Sequence, residues 1–240
     1  MRREEYVEHL RADSATTADA VRADPDAPVP TCPGWDRRAL LRHLGGVHAW
    51  VRAQLAAGPG ERRTHEDAER PPAGDELFDW FATGATALAA GLEAMDLDAS
   101  WPTSWGARPG LWFPRRMAQE TAVHRWDVAP APLDGDLAAD GLDELLRSFL
   151  RRVPAERLEG VAGTIHLHAT DAQLQAPCEW LLSLGPDGIQ ADPVHAKGDV
   201  ALRGPASDLL LWAWNRAPLD RLEVLGDAAL AARWSSIVTL

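Results

Sequence analysis

Apolar residues in this 240-residue chain change from helical to strand-like spacing near Pro154, and that change divides the fold into two parts of different class. Upstream they recur at three- and four-residue intervals, the period of an amphipathic helix. Tyr6, Leu10, Ser14, Thr17 and Val21 mark a first helix, which DPDAPVPTCPGW ends. A second begins after Trp35, with Asp36 as its N-cap and Leu40, Leu44, Val47, Val51 and Leu55 as its stripe. The polar loop GPGERRTHEDAERPPAG precedes a third helix carrying Leu77, Phe81, Leu88, Leu92 and Met95. A Trp- and Pro-rich connection, WPTSWGARPGLWFP, leads into a fourth, and a fifth is expected near residues 137 to 152. Helices of this length joined by loops predict a bundle over residues 1–153.

Downstream the texture is that of strands. GTIHLHA alternates, CEWLLSLGPDGIQA reads as two strands around a turn, and DVALRG and LEVLG are shorter strands. ASDLLLWAWNR and DAALAARWSS return to helical spacing. Residues 154–240 are therefore expected to form a small α/β domain, and the whole chain an α+β protein.

Composition narrows the function. A net charge of -12 repels a phosphate backbone, and no arginine run is interleaved with aromatics, so nucleic acid is not an expected partner. No segment approaches the roughly 20 apolar residues that span a bilayer, and MRREEYVEHLRAD lacks the apolar core of a signal peptide. A soluble, cytoplasmic protein is expected. Cys32 and Cys178 are too few for a disulfide framework or a Cys-rich zinc site, so any metal must be held by His and carboxylates.

The stretch QETAVHRWD offers such ligands. Residues four apart share a helix face, so Glu120 and His124 can approach one ion together. Met117, Thr121 and Val128 share the His124 side, which puts this polar pair beside a buried stripe, where it needs a partner. The nearest candidates, His43 and His48 in CPGWDRRALLRHLGGVHAW, lie five residues apart, roughly 140° around the helix, and cannot easily serve one ion. Periodicity does not choose between them. Two His and one Glu suit Zn²⁺ with an open fourth position, the pattern of a catalytic site.

TCPGWDRRALLRHLGGVHAW followed by QETAVHRWDVA resembles the mycothiol-dependent maleylpyruvate isomerase family. The resemblance extends over nearly the whole chain and implies a DinB-like four-helix bundle followed by a small domain of the sterol-carrier type. It implies His43 as the third metal ligand beside Glu120 and His124, and Asp127 as a residue that positions them. It implies a divalent metal such as Zn²⁺, mycothiol as the thiol cofactor and a small electrophile as substrate. It also implies a catalytic Arg from the second domain, matched by Arg216 in WAWNRAPLD. The family pattern there is Gly-rich, whereas this chain has Trp212, Trp214 and Asn215, so the resemblance does not fix the substrate.

The expected activity is accordingly that of a thiol-dependent cis-trans isomerase or S-transferase. A zinc hydrolase using metal-bound water, with Glu120 or Asp127 as base, is an alternative, as is a ligand-binding protein with a structural metal. Cys32 reads as a small buried thiol near the site. His166 and His168 share one strand face without a third partner visible in the sequence. No Gly-x-Ser-x-Gly elbow is present to support serine hydrolysis. Trp101, Trp105 and Trp112 can line an aromatic cleft or simply pack.

Overall fold

The computed structural model describes residues 1–171 and 178–239, which form two compact units, Arg2–Ala131 and Pro132–Leu240, the latter joined by Met1. The first unit holds four long helices: α1 (Arg3–Ala23), α2 (Arg37–Ala57), α3 (Glu76–Ala94) and α4 (Trp112–Val128). The α1 positions expected to face inward, Tyr6, Leu10, Ser14, Thr17 and Val21, are all buried. Asp36 caps α2, its carboxylate accepting the Ala39 N–H at 2.6 Å, which satisfies a donor that no helix carbonyl can reach.

In the bundle, α1 packs on α3 and α4, and so does α2. The pairs α1/α2 and α3/α4 therefore sit diagonally, while α2 and α3 are neighbours, and the diagonal step from α3 to α4 requires a long passage. That passage, read from sequence as a plain connection, contains a hairpin, β1 (Ser100–Thr103) with β2 (Gly106–Pro109). Each strand has only four residues and carries a proline, too short a run for alternation to register. Trp101 is buried against Phe113, ring centroids 5.8 Å apart, so this tryptophan belongs to the core of the bundle. Helix α4 is enclosed on nearly all sides: Phe113, Met117, Ala118, Ala122 and Val123 are buried, and so are Arg116, His124, Arg125 and Asp127. Polar groups so enclosed need partners: His124 pairs with Asp127, Arg116 with Glu120, and Arg125 with Asp13 of α1.

The second unit begins well before Pro154. Helix α5 (Gly135–Glu144) continues into a π-turn at Leu145–Phe149 and a tight turn at Leu150–Arg152, in place of one helix to 152. Helix α5, with Leu137 and Leu142 buried, packs with α6 (Ala206–Ala213), and the units divide between Ala131 and Pro132. The mixed sheet comprises β3 (Gly163–Ala169), β4 (Glu179–Gly185), β5 (Gly188–Asp192), β6 (Val200–Gly204) and β7 (Glu223–Gly226), in the order β5-β4-β3-β6-β7. Only β3 and β6 run parallel. Ile165, Leu167, Val200 and Leu202 are buried on the face that α6 covers, whereas Thr164, His166 and His168 alternate to the other. Two short helices, α7 (Ala228–Ala232) and α8 (Trp234–Ile237), close the chain. No helix among the described residues is long and apolar enough to cross a membrane.

Candidate metal centre

The two motif stretches meet inside the bundle. His43 on α2 and Glu120 and His124 on α4 present ligand atoms that all lie within 4.8 Å of one another. His43 Nε2 is 3.3 Å from Glu120 Oε1, and His124 Nε2 is 3.5 Å from the same oxygen. The two imidazoles stand nearly perpendicular, with centroids 5.2 Å apart, and each presents its Nε2 to the same Glu120 oxygen.

Each candidate ligand is held from behind. Arg116, one turn before Glu120, donates to Oε2 at 2.6 Å and leaves Oε1 to the histidines. Asp127 Oδ2 lies 2.9 Å from His124 Nδ1, which keeps the proton on Nδ1 and the lone pair on Nε2. Asp127 is in turn fixed by the Thr31 hydroxyl, which donates to Oδ1, and by Cys32 Sγ, 3.7 Å from Oδ2. These two residues sit in a tight double turn: Cys32 N–H donates to Val29 O, Trp35 N–H to Cys32 O, and Gly34 takes φ +86°, where glycine is favoured. The same turn lays the Trp35 ring 5.0 Å from that of His43. TCPGWD thus serves both α2 and α4, steadying Asp127, flanking His43 and capping α2.

Burial alone would push the Glu120 carboxyl up, but hydrogen bonds to His124 and His43 and the Arg116 charge hold it well below the usual carboxylate range. Burial alone would lower His124, yet its bonds to Asp127 and Glu120 and their charges raise it to about 9. His124 is therefore protonated at neutral pH.

His48 lies elsewhere. It is buried in the bundle core, its Nε2 3.0 Å from Thr121 Oγ1 and its ring stacked on Phe81 at 5.5 Å. Burial lowers it to about 3, so it is neutral. Arg116, Thr31 and Trp35 were missed as contributors by sequence reasoning. Only Arg116 carried a signal, its spacing of one turn from Glu120.

Arg216 belongs to the second unit, just past α6. Asn215 takes the left-handed conformation at φ 58°, so that the N–H groups of Arg216 and Ala217 both reach Leu211 O, a common helix ending. The Arg216 side chain donates from Nη1 to Trp214 O at 2.9 Å. It also lines a pocket of about 260 Å³ with Trp212, Pro218 and Trp234.

Comparison with known proteins matches both units to one family. Residues 7–129 match the mycothiol maleylpyruvate isomerase N-terminal domain, and residues 136–233 match the MDMPI C-terminal domain, its companion. No curated protein sequence matches. Two solved structures share the fold: a histidine-to-alanine mutant of the mycothiol-dependent maleylpyruvate isomerase, with TM-score 0.60 and 15% identity, and the same enzyme unmutated, with TM-score 0.55 and 14%. Each match covers 93% of both chains.

Proposed function

The chain belongs to the mycothiol-dependent maleylpyruvate isomerase family, and from that membership we propose a metal-dependent enzyme that uses a mycothiol-type thiol on a small electrophile. The observation that supports this reading is the spacing of the donor atoms. Tetrahedral ligands about 2.0–2.1 Å from zinc stand about 3.3–3.4 Å from one another. The Glu120 oxygen lies 3.3 Å from His43 and 3.5 Å from His124, long for hydrogen bonds and suited to a shared ion.

A divalent ion held by these three residues leaves a fourth position for a thiol and favours its thiolate at neutral pH. The chain's own groups then have separable tasks. Asp127 keeps the His124 ring in one tautomer, Arg116 restrains Glu120 to a single donating oxygen, and Thr31 and Cys32 stop Asp127 from turning away. Isomerisation of an alkene and formation of a stable thioether make the same demands on this pocket and differ in what leaves. Arg216 is assigned to an anionic group of substrate or cofactor, for which a guanidinium offers paired donors. A hydrolytic reading is less well supported. It needs a carboxylate to take a proton from water, and Glu120 and Asp127 are both engaged with the histidines.

Titration of the Co²⁺-substituted protein with mycothiol tests the reading. A thiolate-to-cobalt charge-transfer band is expected, and a spectrum unchanged at saturating thiol would reject thiol ligation. Asp127→Asn should weaken metal binding by about 10- to 100-fold, the usual effect of losing a carboxylate behind a ligating histidine, as read by chelator competition. Arg216→Lys keeps the charge without the planar fork. It should lower turnover of a carboxylated electrophile with metal content unchanged, and equal kinetics in the two proteins would leave Arg216 only its helix-ending role.

A further inference from the structure

The outward face of the second unit's sheet carries another convergence of ligand-type side chains, supplied by three separate parts of the chain. His166 stands on β3, Glu179 on β4, and His195 on the segment that joins β5 to β6. The register pairs Glu179 with His168, so His166 is its diagonal neighbour on the same face. His166 Nε2 is 2.9 Å from Glu179 Oε2, and His195 Nδ1 bonds the same oxygen. The ligand atoms of His166, Glu179 and His195 all lie within 4.8 Å of one another. His168 Nε2 stands 3.8 Å from the other oxygen, Oε1, outside that set.

The position of His195 is built into the fold. Asp199 accepts bonds from both the backbone N–H and the hydroxyl of Thr164, each at 2.8 Å. At Gly198 the chain passes so close to β3 that an added Cβ would meet His166 N at 2.9 Å and Val200 O at 2.8 Å. The segment is thus pinned along β3, and His195 is carried over the Glu179 carboxylate. His166 is buried beneath this cover at 6% exposure, while the His195 side chain remains 81% exposed, which gives an ion a route from solvent.

The geometry points to a second divalent-metal site, formed by His166, Glu179 and His195, taking a zinc-like transition ion through two imidazole nitrogens and one carboxylate oxygen. Metal-free, these donors are drawn together by hydrogen bonds through the protons that an ion displaces. Three of the chain's eight histidines surround this one carboxylate, a donor set that suits Zn²⁺ far better than Mg²⁺ or Ca²⁺, which prefer oxygen. With three protein ligands the site keeps open coordination positions, and the ion ties the β5–β6 segment to the sheet.

Zinc stoichiometry of the full-length protein tests this, measured by calorimetry and elemental analysis on wild type, His195→Ala, Glu179→Gln, His43→Ala and the double variant His43→Ala/His195→Ala. His195→Ala is the primary variant because an exposed side chain is removed, with circular dichroism as the check on folding. Wild type should bind two equivalents, His195→Ala and Glu179→Gln one fewer, and the double variant none. Loss of one equivalent in His195→Ala with none lost in His43→Ala would uphold this second site and reject the bundle site. Wild-type stoichiometry and affinity in both His195→Ala and Glu179→Gln would overturn the inference.

Discussion

His124→Ala should abolish metal binding at the bundle site, with an affinity loss beyond the 10- to 100-fold expected for an outer partner, and thiol-dependent turnover should vanish with it. The residue supplies one of three donors to the set, and its removal also strips Asp127 of its imidazole partner inside the bundle. His43→Ala is the cleaner version, since that side chain is 39% exposed and its loss leaves no buried group unpaired. The bundle should survive both changes, because Leu40, Leu44, Leu88 and Met117 hold the helices together independently of any ion. His48→Ala is the contrast: it should destabilise the fold and spare the metal. Undiminished binding-site metal in His43→Ala, with loss in His48→Ala, would show that the wrong histidine has been assigned.

The second large effect is on acid stability. His48 is held neutral, its folded value depressed from 6.5 to about 3 by burial. Protons therefore bind the unfolded chain first as pH falls. The stability that depends on neutral His48 is complete above about pH 6.5 and is lost progressively toward pH 3, a swing on the order of 5 kcal/mol. His124 acts in the opposite sense in metal-free protein. Its folded value is raised to about 9, so its contribution is complete below pH 6.5 and is lost as pH rises through 9. Urea denaturation of metal-free protein should thus be most resistant near neutrality. His48→Gln can still bond Thr121 but cannot titrate, so its acid limb should be much flatter. An acid limb identical to that of wild type would remove His48 as the cause. Zinc should abolish the alkaline decline, because the ion binds the neutral ring of His124.

The two predictions rest on unequally legible features. Asp36 as a cap, the inward face of α1 and the pairing of Glu120 with His124 follow from spacing along a single helix, where 3.6 residues per turn fix which side chains are neighbours. Strand β3 was equally plain from its alternation. The hairpin in WPTSWGARPG was hidden because four-residue strands interrupted by proline are too short to show a period. The π-turn after α5 was hidden because Leu145, Leu146 and Leu150 continue a helical spacing that the backbone does not follow.

What the sequence determined by itself was local: helices and strands, two of the three candidate bundle ligands on one face, and a second pair of histidines on one strand. Its resemblance to a family added His43, which periodicity could not choose over His48. Only the tertiary structure decided which polar groups meet. It set His43 toward Glu120 and His48 against Phe81, brought Thr31 across 96 positions to Asp127, and carried His195 to Glu179 and His166. The physical reason is that helix and strand periods report direction around one element, whereas a ligand set is closed by distances between elements. Those distances are fixed by packing, strand register and the path of connecting segments, none of which has a period to read.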